Sequence, residues 1–383
     1  MLGIAVLGST GSIGRQTLEV VAMHPDRFRV RALAAGHAND AFLAQLQRWP
    51  DACAWVEGID RPEHLETQRW AEGGLEELAT LDGVDVVVVA TTGMAALPAV
   101  MRAVRANRIV ALANKETLVT GGHLVTEALS AAGGERLNRL RPVDSEHSAI
   151  WQCLLGERME DVARLILTAS GGPFRERGSS SLAQVAPEEA LAHPTWRMGP
   201  KITIDSATLV NKAFEAIEAR WLYQLPYSRI EAVIHPSSVV HSLVEFVDGS
   251  FKAQLGLPDM HLPIQYALTY PERLPSPARH APPTDWGALE FRDLDRAQYP
   301  GYHVVREAAA AGGNRGTILN AADEAAVAAF LAGRLGFDRI PSVIEDAVVR
   351  WGADRELDLP GVLDLDREVR TALWTDLGVA VAG

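Results

Sequence analysis

Cysteine is scarce in this sequence, which has only Cys53 and Cys153 among 383 residues. The two lie far apart along the chain and form no CxxC motif, which excludes a disulfide framework and a cysteine-rich zinc site. Such sparse use of cysteine is typical of proteins that work in a reducing compartment. We therefore predict a cytoplasmic protein.

Long apolar runs and concentrated positive charge are also missing. No stretch is long enough to cross a bilayer, and residues 1–14 lack the basic start and long apolar stretch of a signal peptide. The formal net charge of -13 repels polyanions, and the lysines and arginines are scattered along the chain. We therefore expect neither a membrane nor a nucleic acid as partner. Because the protein as a whole is negatively charged, a small anionic ligand would need a local pocket of donors.

The sequence does have the composition of a large folded enzyme. Apolar residues make up 48% of the chain and charged residues 22%, which is the mixture of a soluble globular protein. Because a chain of 383 residues is longer than a domain with a single hydrophobic core usually is, we expect two or three domains.

Strands and helices are predicted to alternate in the N-terminal part. Short apolar runs predict strands at residues 2–7, 28–34, 84–90 and 109–113, with helical stretches between them. The third run, VDVVVVA, is typical of a strand buried on both faces of a parallel sheet. This pattern predicts a Rossmann-like NADP-binding domain over residues 1–144, within an α/β fold.

Later segments follow a different pattern. Strands are predicted at 165–169 and 232–234, and an antiparallel pair at 239–246 and 250–255, which indicates a central α+β catalytic domain over residues 145–269. Clustered prolines predict a linker over residues 270–297. Alanine-rich sequence with apolar residues at helical spacing, as in 323–331 and 342–351, predicts a small α-helical C-terminal domain over residues 298–383.

A glycine-rich segment, Gly8 to Gly14, follows the first predicted strand with the spacing GxxGxxG. Glycines at this place let the backbone approach a pyrophosphate, and the amides at the start of the next helix bind its charge. An ordinary glycine-rich turn is the alternative. After the second strand, Gly36 and His37 bring no carboxylate that would repel a 2′-phosphate, which favours NADP over NAD. His37 could donate to that phosphate or be a solvated loop residue.

Acidic residues suggest a metal site. Asp144 and Glu146 would share one side of an extended segment and could converge on a cation, although paired loop acids are often simply solvated. Glu215 is the candidate third acid, four residues after Asn211 on one helical face. A solvated amphipathic helix explains the same spacing.

A second glycine-rich segment, Ser170-Gly171-Gly172, follows a predicted strand. It is either a phosphate-binding nest or a tight turn.

Seven chemically unusual strings occur in one order along nearly the whole chain: GSTGSIG, ANKETLV, PVDSEHSAI, SGGPF, HPTWRMGPKITIDSATLVNKAFE, IHPSSVVHS and LGLPDMHLPI. Together they resemble the 1-deoxy-D-xylulose 5-phosphate reductoisomerase family. The resemblance implies conversion of that sugar phosphate to 2-C-methyl-D-erythritol 4-phosphate by metal-assisted isomerisation followed by reduction, a step of the non-mevalonate isoprenoid route. It also implies NADPH, one divalent ion (Mg²⁺ or Mn²⁺, with Co²⁺ as a third candidate) and a homodimer.

The resemblance also implies roles for individual residues. The metal ligands would be Asp144, Glu146 and Glu215, and these three with Lys115 and His193 would form the catalytic set. The cofactor would contact Thr10, Gly11, Ser12, Ile13, Asn114, Glu116 and Gly199, with Gly36, His37 and Asn39 near its adenosine end. The substrate would contact Lys115, Ser145, Glu146, Ser170, His193, Ser206, Asn211, Lys212 and Glu215. A loop at about residues 187–201 would close over the substrate, and Trp196 on this loop would form an apolar cover over it.

One departure from the family pattern follows the second strand. Family members often have Gly-x-Asn there, whereas Gly36 is followed here by His37 and Ala38, with Asn39 one place late.

Two alternative functions are another NADP-dependent dehydrogenase, such as a homoserine or semialdehyde dehydrogenase, and a redox sensor that binds NADPH without turnover. The first lacks the DSEH and SATLVNK strings, and the second needs no set of three carboxylates.

Overall fold

The computed structural model describes residues 1–61, 68–177, 179–193 and 198–379. The chain forms two compact units. Unit 1 comprises residues 1–117, 124–151 and 259–280, and unit 2 comprises residues 118–123, 152–258 and the chain from 281 onward. The three-domain division with borders at 144, 269 and 297 stays a prediction. In the described residues, no helix has both the length and the apolar character needed to cross a membrane.

Unit 1 is built on a parallel sheet, and its strands are β1 (Leu2–Leu7), β2 (Phe28–Ala35), β3 (Cys53–Val56), β4 (Val86–Val89), β5 (Ile109–Leu112) and β6 (Leu140–Pro142). Helices that begin in this unit are α1 (Ser12–Met23), α2 (Asp40–Arg48), α3 (Gly74–Thr80), α4 (Leu97–Arg105), α5 (Glu116–Ala132), α6 (Arg136–Arg139), α7 (Ser145–Leu154) and α11 (His261–Thr269). The strand order is β3-β2-β1-β4-β5-β6, the order of a dinucleotide-binding sheet. The predicted Rossmann-like fold is confirmed.

The core of unit 1 explains these strands. All four valines of β4 are buried, as expected for a central parallel strand covered on both faces, although the strand is shorter than the predicted 84–90. Helix α11 contributes Ile264 and Leu268 to the same core. His261 at its start lies 2.6 Å from Glu19 Oε2 in α1 and 2.6 Å from Asp259 Oδ1.

Unit 2 contains a four-stranded mixed sheet of β7 (Val162–Ala169), β8 (Ile230–Ile234), β9 (Val240–Phe246) and β10 (Phe251–Leu255). Its strand order is β10-β9-β7-β8, and the predicted antiparallel pairing of β9 with β10 is confirmed. The helices of this unit are α8 (Pro187–Ala190), α9 (Pro200–Thr208), α10 (Val210–Tyr223), α12 (Pro300–Ala310), α13 (Arg315–Leu331), α14 (Ile340–Trp351) and α15 (Leu359–Asp376).

The C-terminal helices share one hydrophobic core with α9 and α10. Ile204 and Phe214 pack in the same buried cluster as Ile318, Phe330 and Val369. The predicted C-terminal helices are confirmed, but they are part of the core that supports α9 and α10. The proline-rich segment is largely irregular, as predicted, with a short 3-10 turn at Pro283–Asp285.

Candidate active site

The glycine-rich segment after β1 forms a tight turn into α1. Gly8 has a φ of +90°, and a Cβ atom there would lie 2.4 Å from the carbonyl oxygen of Ala90. A Cβ atom on Gly14 would lie 2.2 Å from the carbonyl oxygen of Gly8, so both positions require glycine. Gly11 caps α1, whose first amides have no partner inside the helix. Thr10, Gly11, Ser12 and Ile13 thus lie where a helix N-terminus binds phosphate.

A buried polar pair that the sequence analysis missed holds this turn. The Ser9 hydroxyl donates to Gln45 Oε1 at 2.7 Å, and Gln45 Nε2 donates to the Ser9 carbonyl oxygen at 2.9 Å. Both residues are buried, and Gln45 comes from α2. A polar residue on the otherwise apolar buried face of that helix was the available sequence signal.

Gly36, His37 and Asn39 are exposed at the end of β2. Asn39 is the N-cap of α2, and its side-chain oxygen accepts a hydrogen bond of 3.0 Å from the backbone N–H of Phe42. The Asn39 oxygen therefore already has a structural role, the usual one for asparagine before a helix.

Asn114 is buried at the end of β5, and its side chain makes four hydrogen bonds. Nδ2 donates to the carbonyl oxygens of Thr91 at 2.9 Å and Gly93 at 2.6 Å. Oδ1 accepts from the backbone N–H of Thr117 at 2.9 Å and from its hydroxyl at 2.6 Å. This is the full capacity of a carboxamide, so the side chain ties the loop after β4 to the start of α5, which begins at Glu116.

The Asp144 segment is not extended, and this part of the sequence analysis was wrong. Helix α7 begins at Ser145, whose N–H donates to Asp144 Oδ1 at 3.0 Å. The Asp144 carbonyl oxygen accepts from the N–H of Ser148 at 2.8 Å. An aspartate before a helix satisfies its free amides and complements its dipole, which outweighs the extended conformation we inferred from i, i+2 spacing. Glu146 follows in the first turn, where Oε2 accepts from the Ser145 hydroxyl at 2.6 Å.

Lys115 and Asp144 form a buried ion pair within unit 1. Lys115 Nζ lies 3.1 Å from Asp144 Oδ2, and their side chains are 7% and 15% exposed. The structure thus brings together Lys115, Asp144, Ser145 and Glu146, four residues that the sequence analysis assigned to catalysis or substrate binding.

In unit 2, an imidazole joins two serine hydroxyls. His193 Nε2 lies 3.1 Å from Ser170 Oγ and 3.1 Å from Ser206 Oγ. Gly172 has a φ of +66°, and a Cβ atom there would lie 2.9 Å from the Ser206 carbonyl oxygen. The Ser170-Gly171-Gly172 segment is therefore a tight turn that packs closely against α9.

His193 lies within the predicted closing loop of about residues 187–201. Burial, together with the nearby Arg175 guanidinium, lowers the pKa of His193 to about 4, so the ring is neutral at neutral pH. Gly199 is the N-cap of α9 and is exposed. Trp196 lies outside the described residues.

Helix α10 pairs a carboxylate with two donors, and Asn211 and Glu215 lie on one helical face, as their i, i+4 spacing predicted. Asn211 Nδ2 donates to Glu215 Oε1 at 2.6 Å, and Lys212 Nζ donates to Glu215 Oε2 at 2.5 Å. The Lys212 and Glu215 side chains are almost completely buried. Glu215 is therefore a buried carboxylate that is charge-compensated within its own helix.

The sequence analysis missed a further ion cluster, in which both carboxylates are buried. Lys201 Nζ lies 2.6 Å from Asp205 Oδ2 and 2.6 Å from Asp323 Oδ2, which joins α9 to α13. Burial raises the pKa of Asp323 although Lys201 lowers it. The i, i+4 spacing of Lys201 and Asp205 was readable from the sequence, but the contact with Asp323 needs the tertiary fold.

Three family models match the chain. The one described as 1-deoxy-D-xylulose 5-phosphate reductoisomerase matches residues 4–122, and the C-terminal domains described for the same enzyme match residues 140–223 and 255–372. A 1-deoxy-D-xylulose 5-phosphate reductoisomerase of Thermomicrobium roseum is 49% identical, with 99% of both chains covered. That of Heliobacterium modesticaldum is 48% identical, with 96% of this chain and 95% of the relative covered.

Solved structures agree with these relatives. The reductoisomerase of Zymomonas mobilis in complex with NADPH has a TM-score of 0.90 and 37% identity, over 99% of this chain and 100% of that one. A DOX-P reductoisomerase in complex with NADPH, fosmidomycin and magnesium has a TM-score of 0.90 and 35% identity, over the full length of both chains.

We predict that the His193 ring stays neutral at pH values well below those at which histidine is ordinarily protonated. Because burial disfavours the charged ring, its folded pKa lies below the unfolded value of about 6.5. The stability it contributes is present above that value and is lost as the pH falls towards 4. Nitrogen-15 NMR of the ring at about pH 5.5, between these two values, should show a neutral imidazole, against a protonated one in urea.

Arg175→Gln is the matched variant for this titration. Removing the guanidinium charge should raise the pKa of His193 while leaving it below 6.5, because burial is the larger cause. A charged ring at pH 5.5 in the folded unsubstituted protein would contradict the assignment.

Proposed function

The chain belongs to the 1-deoxy-D-xylulose 5-phosphate reductoisomerase family, and we propose that the residues described above carry out the reaction of that family. The enzyme is an NADPH-dependent oxidoreductase that converts 1-deoxy-D-xylulose 5-phosphate to 2-C-methyl-D-erythritol 4-phosphate in the non-mevalonate isoprenoid route. The observation that carries the residue assignment is the cluster of Ser170, His193 and Ser206, which gathers neutral donors suited to a phosphate in unit 2.

Unit 1 fits the cofactor. The cradle that Gly8 and Gly14 keep open lets the backbone approach a pyrophosphate, and the amides near Ser12 and Ile13 would bind its charge. We assign Thr10, Gly11, Gly36, His37, Asn39 and Glu116 of this unit as further contacts, and Gly199, a residue of unit 2, as one more. Asn114 would act through its backbone, because its side chain is saturated with hydrogen bonds.

The carboxylates fit a hard divalent cation. We assign Asp144 and Glu146 of unit 1, with Glu215 of unit 2, as the ligands of Mg²⁺, Mn²⁺ or Co²⁺, because such ions prefer carboxylate oxygens. When bound, the ion supplies Lewis-acid polarisation of the substrate oxygens. Lys115 forms an ion pair with Asp144, and Lys212 forms one with Glu215, so each of these two carboxylates has an ammonium partner.

The remaining polar residues are assigned to the substrate. Ser170, Ser206, Asn211 and Lys212 would hold its phosphate through hydroxyl, amide and ammonium donors. The neutral His193 orients both hydroxyls without adding a charge. Lys115, Ser145 and Glu146 would contact the carbon skeleton, where the Lys115 ammonium is a donor to oxygen that gains negative charge. When bound, NADPH would supply the hydride that, with one proton, reduces the rearranged aldehyde.

A cytoplasmic location also stays a proposal. Cys53 and Cys153 are buried free thiols, and burial raises the pKa of Cys153 to about 11, so this thiol is unreactive. Neither residue indicates an oxidising compartment.

We predict that Glu215→Gln abolishes catalysis while cofactor binding persists. The amide lacks the charge that a divalent ion requires, so kcat/KM for 1-deoxy-D-xylulose 5-phosphate should fall by at least about 100-fold. The measurement is loss of NADPH absorbance with Mg²⁺ or Mn²⁺ present, and again with excess EDTA. EDTA should stop the unsubstituted enzyme.

Glu307→Gln is the matched control for this assay, because Glu307 is an exposed residue of α12 paired with Arg296. It should retain full activity. If the unsubstituted, folded protein binds NADPH but never consumes it with either metal, the sensor function is favoured and the reductoisomerase assignment is wrong.

We predict that NADPH is preferred over NADH, and that His37→Asp weakens this preference. A carboxylate at this exposed position would repel the 2′-phosphate, so kcat/KM for NADPH should fall about 10-fold while that for NADH changes little. Kinetic constants for both cofactors provide the measurement, with exposed His280→Asp as control. Equal use of both cofactors by the unsubstituted enzyme would contradict the preference.

We predict a homodimer that uses the edge of the unit 2 sheet. Strand β10 is the outer strand; its first residue, Phe251, is 51% exposed, and Val247 in the turn before it is 68% exposed. An exposed apolar strand edge is a natural site for pairing with a second copy. Light scattering should give about twice the 41.4 kDa of one chain, and less for Phe251→Lys. A monomer at micromolar concentration would contradict this.

A further inference from the structure

Residues 290–299, here called the strap, comprise the last part of the predicted linker (residues 270–297) and the two residues after it, and they contact the part of unit 2 that carries Ser170. The backbones of Arg292 and Ile234 exchange two hydrogen bonds of 2.9 Å, next to the end of β8. Arg292 Nη1 also lies 2.8 Å from Glu176 Oε1. The strap is therefore fixed to unit 2 before it reaches the glycine turn.

Two consecutive residues of the strap hold that turn. The Tyr299 hydroxyl donates to the carbonyl oxygen of Gly171 at 3.0 Å. Gln298 Nε2 donates to the carbonyl oxygens of Arg175 at 2.8 Å and Phe174 at 3.2 Å. Tyr299 is 3% exposed, and burial raises its pKa to about 12, so the hydroxyl keeps its proton at working pH.

The bond from Tyr299 reaches Ser170 through one rigid group. The Gly171 carbonyl and the Gly172 N–H belong to the same planar peptide unit. That N–H donates to Ser170 Oγ at 3.2 Å, and the same Oγ lies 3.1 Å from His193 Nε2. Tyr299 thus holds one end of a peptide plane whose other end orients the Ser170 hydroxyl.

The turn needs such support because of its sequence. Gly171 and Gly172 have φ values of +82° and +66°, in the left-handed region that favours glycine, and glycine loses more conformational freedom on folding than any other residue. A Gly-Gly peptide without an external bond can rotate at low cost. Rotation would remove the N–H from Ser170 and change where its hydroxyl lies.

We propose that Tyr299 is a positioning residue for the substrate phosphate, acting through the Gly171–Gly172 peptide on the Ser170 hydroxyl. This inference rests on the proposed function of Ser170 as a phosphate ligand. Tyr299 itself touches neither substrate nor cofactor in this assignment. Gln298 fixes the other end of the same turn and supports it less directly.

The test is a double-mutant cycle of Tyr299→Phe and Ser170→Ala, with kcat and KM measured for 1-deoxy-D-xylulose 5-phosphate. Losing one hydrogen bond in the chain from Tyr299 should raise KM about 5-fold in Tyr299→Phe, with kcat changed less than about 2-fold. Because Tyr299 acts through Ser170, the double variant should be no worse than Ser170→Ala alone. Additive effects would overturn the inference.

Controls separate this inference from the function on which it rests. Tyr227→Phe removes the hydroxyl of a half-buried tyrosine of unit 2 that, in the described residues, makes no hydrogen bond to the turn, and it should leave KM unchanged. If Ser170→Ala raises KM and Tyr299→Phe does not, the positioning role alone is wrong. If Ser170→Ala leaves KM unchanged, the phosphate assignment itself is wrong.

Gln298→Ala provides a second variant that leaves the buried tyrosine ring in place, should Tyr299→Phe fold poorly. It releases the Phe174 and Arg175 carbonyls and should raise KM about 2-fold, again without further loss in the Ser170→Ala background. An unchanged KM in a folded Gln298→Ala variant, or an additive effect, would overturn the role of the strap.

Discussion

Each unit has to neutralise its own buried charge, and the candidate site depends on this constraint. Moving an ionised side chain out of water costs several kcal/mol unless a partner and hydrogen bonds compensate. Lys115 and Asp144 meet this requirement in unit 1, and Lys212 and Glu215 meet it in unit 2. Asp144 and Glu215, two of the three carboxylates assigned to the metal, are therefore each paired with a lysine of their own unit.

The same constraint operates behind the site, where one ammonium lies between two carboxylates. Asp205 directly precedes Ser206 in α9, and Lys201 connects it to Asp323 in α13. Burial raises the pKa of Asp323, and the Lys201 ammonium opposes this shift. The C-terminal helices thus hold α9, and with it the Ser206 hydroxyl, through a charged contact as well as through the shared core.

Local pattern predicted the framework well, because periodicity and burial agree there. The fully buried valines of β4 and the i, i+4 contact of Asn211 with Glu215 both follow from sequence spacing. The segment at Asp144 did not, because i, i+2 spacing describes a strand, whereas hydrogen bonds to the aspartate favour a helix start. Contacts such as Tyr299 with Gly171 join residues far apart in sequence, and no local pattern encodes them.

The two asparagines assigned to the cofactor show that a residue of a sequence motif can act by fixing the loop and not by contacting the ligand. The Asn114 side chain makes all its hydrogen bonds to the loop after β4 and to the start of α5, and the Asn39 oxygen caps α2. A side chain that fixes a loop determines where the neighbouring backbone amides lie, and backbone amides are what a dinucleotide pyrophosphate mainly contacts. The string that identifies the family can therefore reflect the folding of the cofactor loop as much as direct contact. The one-position shift of Asn39 relative to the family pattern would then mainly change where α2 begins, and would change a bond to the ribose only as a consequence.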